Sequence, residues 1–144
     1  MRNKINFLYI NYYIKYMKSK FYIVTANNCG YCRDFKNDHL EKLKNLMKDK
    51  PLVDRVDLIH VDLNEMSDDK PEEIKQYISW FPTFILNKNG EFLVFNGVMV
   101  DGKIKYDEGK HTNNLGLLVD NSKPPTADNI YVWVSEKISF NNNP

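Results

Sequence analysis

The sequence predicts an α/β fold: a central mixed β-sheet of about four to five strands flanked by helices, with a loop or hairpin insertion before a C-terminal helix. Three observations lead there. Short β-branched and aromatic runs alternate with stretches of helical spacing, as strands and helices sharing one sheet do. Asparagine-glycine and proline signals separate them. The chain, 144 residues long, is near the usual size of one domain and buries roughly two thirds of its unfolded surface without needing disulfide staples.

The elements follow in order. In "MRNKINFLYINYYIKYMKSK", Arg2 and Lys4 precede an apolar stretch, but Asn6 and Asn11 interrupt it and no small-residue cleavage site follows, which argues against a signal peptide. Ile5, Leu8, Tyr9, Tyr12 and Tyr16 recur at helical spacing, so residues 1–19 read as an N-terminal extension, either an extra helix or sequence upstream of a true start at Met17. The domain proper then runs over 20–140 and a disordered tail over 141–144. An intracellular, cytoplasmic location follows from this reading, and a secreted or ER-type compartment follows if residues 1–19 act as a signal.

"KFYIVTA", Lys20 to Ala26, is a short, aromatic and β-branched run that suits a buried strand. Asn27 and Asn28 make a polar turn, and Tyr31, Phe35, Leu40, Leu43 and Met47 then form an approximate helical stripe that Pro51 ends. "VDLIHVDLN", Val56 to Asn64, is a second strand, and "KPEEIKQYI" a short helix with Pro71 at its first position and acidic residues in its first turn. "PTFIL" opens a third strand and "NKNG" turns it into "EFLVFNG". "VMVDGKIKY" reads as a small extra hairpin about Asp101 and Gly102, followed by a polar loop. Thr126 is a good N-cap for a last helix with Ile130, Val134 and Ile138 on one face; Tyr131, Trp133 and Phe140 read as mostly core.

Charge excludes some functions. Twenty basic residues nearly cancel nineteen acidic ones, leaving +1, so no general attraction to nucleic acid or to an anionic membrane is built in. No run approaches the roughly eighteen apolar residues of a membrane span.

The chemistry concentrates in "TANNCGYCRDF", which holds both cysteines, Cys29 and Cys32. Two cysteines are too few for a secreted disulfide framework, and a C-x-x-C among alternating strands and helices reads as redox-active or metal-binding. A tetrahedral metal site needs four ligands; there is no second C-x-x-C, and His39, His60 and His111 lack ligand spacing, so no metal site is expected. His60, in mid-strand, reads as a satisfied structural histidine. At a strand-to-helix junction the free amides and helix dipole favour a thiolate on Cys29, and Cys32 sits one turn away to resolve a mixed disulfide. Two inert core thiols are the bland alternative. Arg33 and Lys36 either lower the thiol pKa values or are solvated helix charges.

"NCGYC" together with "SWFPTFIL" resembles the thioredoxin-like superfamily over roughly Lys20 to Gly97 and, less closely, Thr126 to Ser139. The resemblance implies a thioredoxin-like fold with a cis-proline at Pro82, fifty residues after Cys32, opposite the dithiol. It carries Cys29, Gly30, Tyr31, Cys32 and Pro82 over as site residues and gives Phe81 a role in pairing with an extended substrate segment. Trp80 is read with Phe81 as groove-lining, or else as packed under the second helix; Tyr31 is read as part of the docking surface or as an ordinary exposed tyrosine. "HVDLNE" and "NGEFLVFNG" are similar to the strand end and closing hairpin of thioredoxins. The glutathione signature of glutaredoxins is missing.

Three departures stand out. Asn28 replaces the usual tryptophan before the first cysteine, and the buried aspartate and its lysine partner fall at Ile23 and near Leu58. Losing both members of a buried pair is physically coherent, because leaving one alone costs more. Release of the mixed disulfide must then use water or another base, and it is expected to be slower than in a typical thioredoxin.

The expected function is a thiol-disulfide oxidoreductase acting on protein disulfides or thiols through Cys29 and Cys32, with its redox-active disulfide in place of a cofactor and an upstream reductase or oxidase as partner. The alternatives are a glutaredoxin-like protein using glutathione or holding an iron-sulfur cluster between two chains, and a non-enzymatic adaptor binding partners through residues 98–125 and the N-terminal extension.

Overall fold

The computed structural model describes residues 18–100, 103–106, 111–112, 118–119 and 124–139. The expected N-terminal helix, the Asp101–Gly102 turn, most of the loop that follows, Phe140 and the 141–144 tail lie outside them.

The architecture is α/β around a mixed four-stranded sheet. β1 (Ser19–Ala26) is central and pairs in parallel with β2 (Val56–Leu63) on one side and antiparallel with β3 (Thr83–Lys88) on the other, and β4 (Glu91–Val94) closes the edge beyond β3. A parallel β1–β2 pair needs a crossover. It is supplied by α1 (Gly30–Phe35), a π-helical turn (Lys36–Leu40), α2 (Glu41–Leu46) and a 3₁₀ turn (Leu52–Asp54).

The π turn accounts for an irregularity in the sequence. Phe35 and Leu40 are five residues apart, too many for one α-helical turn; the wider turn brings Phe35, Leu40, Leu43 and Met47 to one buried face. Tyr31 does not belong to that stripe as expected: it is 80% exposed.

The two sheet faces alternate along β1, because successive side chains point opposite ways. Phe21 and Ile23 join Phe35, Leu43, Phe84 and Leu86 under the helices, where α3 (Ala127–Ser139) adds Ile130, Val134 and Ile138. Each of those three contributes about 1.5–3 kcal/mol relative to exposure. The Thr126 hydroxyl caps α3 by accepting the Asn129 N–H at 3.2 Å, and Tyr131 and Trp133 pack half-buried against the same core. Tyr22, Val24, Ile85 and Val94 face the other way, onto Ile74, Tyr77, Trp80 and Phe81.

The covering of that second face differs from expectation. "KPEEIKQYI" is not an α-helix but a turn followed by a 3₁₀ turn (Lys75–Tyr77). So few residues earn little helical hydrogen bonding, while Ile74 and Tyr77, three apart, meet the sheet in 3₁₀ phase.

The β3–β4 hairpin turns at Asn89 and Gly90, with φ of 53° and 97°, as a two-residue hairpin of matching twist requires. Asn87 Oδ1 accepts the Gly90 N–H at 2.8 Å. The expected extra hairpin forms as β5 (Gly97–Val100) and β6 (Lys103–Tyr106), a separate two-stranded sheet rather than a fifth strand. A second small ladder, β7 (His111–Thr112) with β8 (Leu118–Val119), lies where the sequence suggested only loop.

Candidate redox site

The turn after β1 delivers Cys29 to the start of α1. Asn28 takes φ of 60°, a left-handed conformation that asparagine tolerates better than most residues, so it serves the turn at the place where a tryptophan was missing. Cys29 is the N-cap: its backbone is extended, its sulfur accepts the Cys32 N–H at 3.2 Å, and its carbonyl accepts the Arg33 N–H at 3.0 Å. The two sulfurs are bonded to each other, with Cα atoms 5.2 Å apart.

The pair is asymmetric. Cys29 is half-buried, whereas Cys32 is fully buried. Only the first sulfur can meet a macromolecular partner, and it sits where unpaired helix amides and the dipole favour negative charge by about 0.3–1 kcal/mol. Gly30 and Tyr31 between them are exposed, Tyr31 two residues after the accessible Cys29 and open to solvent.

The other wall comes from the end of the segment before β3. The Phe81–Pro82 peptide bond is cis, and the Phe81 carbonyl oxygen lies 3.9 Å from Cys29 Sγ, within reach of the reduced thiol as donor. Pro82 is buried, while Trp80 and Phe81 are half-buried against the second core cluster, so Trp80 packs on the sheet. The Thr83 hydroxyl donates to the Trp80 carbonyl, and Lys70 Nζ lies 5.7 Å from the centre of the Phe81 ring. Cys29, Cys32 and the Phe81–Pro82 pair are thus brought together; Trp80 belongs more to the core beside the site.

Glu73 ties this wall to the sheet. Its carboxylate accepts the Tyr22 hydroxyl and the Asn87 side-chain N–H at 2.8 Å and pairs with Lys20 at 3.7 Å. Burial first, then the Glu73 carboxylate, pushes the Tyr22 phenol up to about 12. Nothing in the sequence marked Glu73 beyond its place in an expected helix.

Ile23 is fully buried in the helix-side core with Leu58 packed against it, so no ionisable group occupies either position. A different polar group lies on that face. Thr25, fully buried, has its hydroxyl 2.8 Å from both Asp62 Oδ1 and His60 Nε2, and Lys36 Nζ meets Asp62 Oδ1 at 2.7 Å. The hydrogen bond from Lys36, with that from Thr25, outweighs burial and holds the Asp62 carboxyl below its ordinary range; burial lowers His60. Lys36 is therefore paired with Asp62 rather than a free solvated charge. Its signal was slight: two polar residues, His60 and Asp62, at alternate positions of an apolar strand.

Among the described residues no group of three or more histidine, cysteine or acidic side chains is arranged to hold a metal ion, and no helix is long and apolar enough to cross a membrane.

No protein-family model matches the sequence, and no curated protein does. Among solved structures the chain is similar to a designed protein, with a TM-score of 0.43 and 19% identity over 91% of this chain and 86% of that one. It is also similar to oxidized mitochondrial thioredoxin 3 of Saccharomyces cerevisiae, with a TM-score of 0.35 and 23% identity over 60% of this chain and 73% of that one.

Proposed function

We propose that the protein is a thiol-disulfide oxidoreductase of the thioredoxin and disulfide-isomerase kind, exchanging disulfides with protein substrates through Cys29 and Cys32. The observation that carries this reading is the asymmetry of a bonded pair at a helix start: an accessible sulfur at the N-cap, a fully buried one a turn later.

In the reducing direction the Cys29 thiolate attacks one sulfur of a substrate disulfide, and the other leaves as a thiolate. Cys32 loses its proton and attacks the Cys29 sulfur; the Cys29–substrate bond breaks, its electron pair leaves with the substrate sulfur that Cys29 had attacked, and the Cys29–Cys32 bond closes. The substrate disulfide is reduced by two electrons and the dithiol oxidised by two. Oxidation of a substrate dithiol runs the same steps backward. Exposed Tyr31 and the Phe81 backbone flank the entry to Cys29 and suit an extended peptide segment, and a cellular reductase or oxidase resets the pair.

The test is to trap the intermediate. Cys32→Ser, reduced and mixed with a disulfide-bonded protein such as insulin, should form a covalent adduct on a non-reducing gel that dithiothreitol releases. Cys29→Ser should form none. Equal adduct from both variants, or none from either, would overturn the reading.

A further inference from the structure

The second wall of the site meets the accessible sulfur at the Phe81 carbonyl, 3.9 Å from Cys29 Sγ. The residues beside Phe81 are fixed: the fully buried Thr83 donates its hydroxyl to the Trp80 carbonyl, and Pro82 is buried. The half-buried Phe81 ring packs on the second core cluster. It also has the Lys70 ammonium 5.7 Å from its centre, inside the range of about 6 Å over which a ring face attracts a cation.

Lys70 is anchored before it reaches the ring. Its Nζ donates to the Met66 carbonyl at 3.2 Å, and the turn that supplies this carbonyl is closed by its own bonds. The Asp68 N–H donates to the Glu65 carbonyl at 3.1 Å, and Asp68 Oδ2 accepts the Glu65 N–H at 3.0 Å. On the other side of Lys70, the Pro71 carbonyl accepts the Ile74 N–H at 3.1 Å, and Ile74 is fully buried against the sheet. The Lys70 backbone thus lies between a closed turn and a core residue, and its half-buried side chain spans from that turn to the Phe81 ring. A lysine ordered in this way gives up little further freedom on the ring.

We propose that Lys70 is a positioning residue for the exchange reaction: anchored on the Met66 carbonyl, its ammonium clamps the Phe81 ring and so fixes the Phe81 backbone beside Cys29, where a protein segment docks. This rests on the oxidoreductase reading above. Lys70 acts through Phe81, and no bond to it forms or breaks. A docked segment excludes water from the ring, and a cation–π contact strengthens when desolvated, so the clamp tightens as substrate arrives. A disulfide too small to lie along the Phe81 backbone gains nothing from it.

The experiment compares two oxidants of the reduced protein: insulin, whose disulfides lie in a polypeptide, and bis(2-hydroxyethyl) disulfide, which is small and uncharged. Samples are quenched in acid, alkylated and weighed by mass spectrometry, which gives a second-order rate constant for each oxidant. Lys70→Met keeps the apolar stem and removes the ammonium. It should lower the insulin rate about two- to fivefold, the factor that an exposed cation–π contact is worth, and leave the small-disulfide rate unchanged. Lys70→Arg, which restores a cation to the ring, should return the insulin rate to that of wild type. In a Phe81→Leu background the ring is gone, so Lys70→Met should have no further effect on either rate. Equal slowing of both oxidants by Lys70→Met, or an unchanged insulin rate, would overturn the clamp alone. So would the same loss in the Phe81→Leu background, which is what simple charge attraction to the substrate gives. A wild type oxidised by neither disulfide would overturn the redox reading with it.

Discussion

Replacing Tyr22 by Phe tests whether the wall that presents Phe81 is held to the sheet through Glu73. The substitution keeps the ring, which is 95% removed from solvent in the second core cluster, and deletes only the hydroxyl that donates to Glu73. A hydrogen bond to a charged group is worth about 1.5–3 kcal/mol, but Glu73 is partly exposed and keeps Asn87 and Lys20, so a loss below that range, about 1 kcal/mol, is expected. For a chain of this size that lowers Tm by about 3–5 °C. Alkaline pH gives a sharper signature. The Tyr22 phenol is raised to about 12 from 10, so between these values the folded state binds the extra proton, and stability present below pH 10 is lost as pH rises through 12. Two units set an upper bound of about 2.7 kcal/mol on that loss. Urea denaturation of both proteins from pH 8 to 12 cancels the other tyrosines and the lysines in the difference. The wild-type advantage should shrink steadily above pH 10. A constant difference across the range, or a more stable variant at pH 8, would refute the anchoring role.

Other perturbations have equally definite outcomes. Asp62→Asn should be less stable at pH 7 by about 0.5–1 kcal/mol, since the Lys36 pair is partly exposed and screened. Because the folded Asp62 carboxyl is depressed, that stability exists above the ordinary carboxylate range and disappears as pH falls through the folded value, so the two proteins should converge in acid denaturation. Leu43→Ala, at a fully buried position between the helices and the sheet, should cost about 2–5 kcal/mol in guanidinium unfolding; a loss below 1 would place Leu43 outside the core. Gly90→Ala has open space for its Cβ but must adopt φ of 97°, so a loss of about 1 kcal/mol from local backbone cost alone is expected.

Local chemistry was legible in the sequence; long-range pairing was not. The C-x-x-C spacing at the end of an apolar run placed both sulfurs at a helix start, and Asn89–Gly90 specified its turn, because each depends on a few adjacent residues. The five-residue step from Phe35 to Leu40 already contained the π turn, visible once the stripe is counted. The Pro71 segment misled because capping signals suit an α-helix while its length and its Ile74–Tyr77 spacing suit a 3₁₀ turn against the sheet. Tyr31 misled because its helical phase belongs to the exposed side of α1. The Thr25–His60–Asp62–Lys36 chain joins three separate elements, and only the register that sets Thr25 opposite Asp62 brings it together.

The central claim, that Cys29 and Cys32 form a working dithiol, is tested most directly by the thiol-disulfide equilibrium of the pure protein across glutathione redox buffers, with Cys32→Ser beside it. The account predicts one cooperative two-electron transition, with a midpoint between roughly −270 and −120 mV and absent from the variant. No transition in that range, or the same curve from Cys32→Ser, would contradict it.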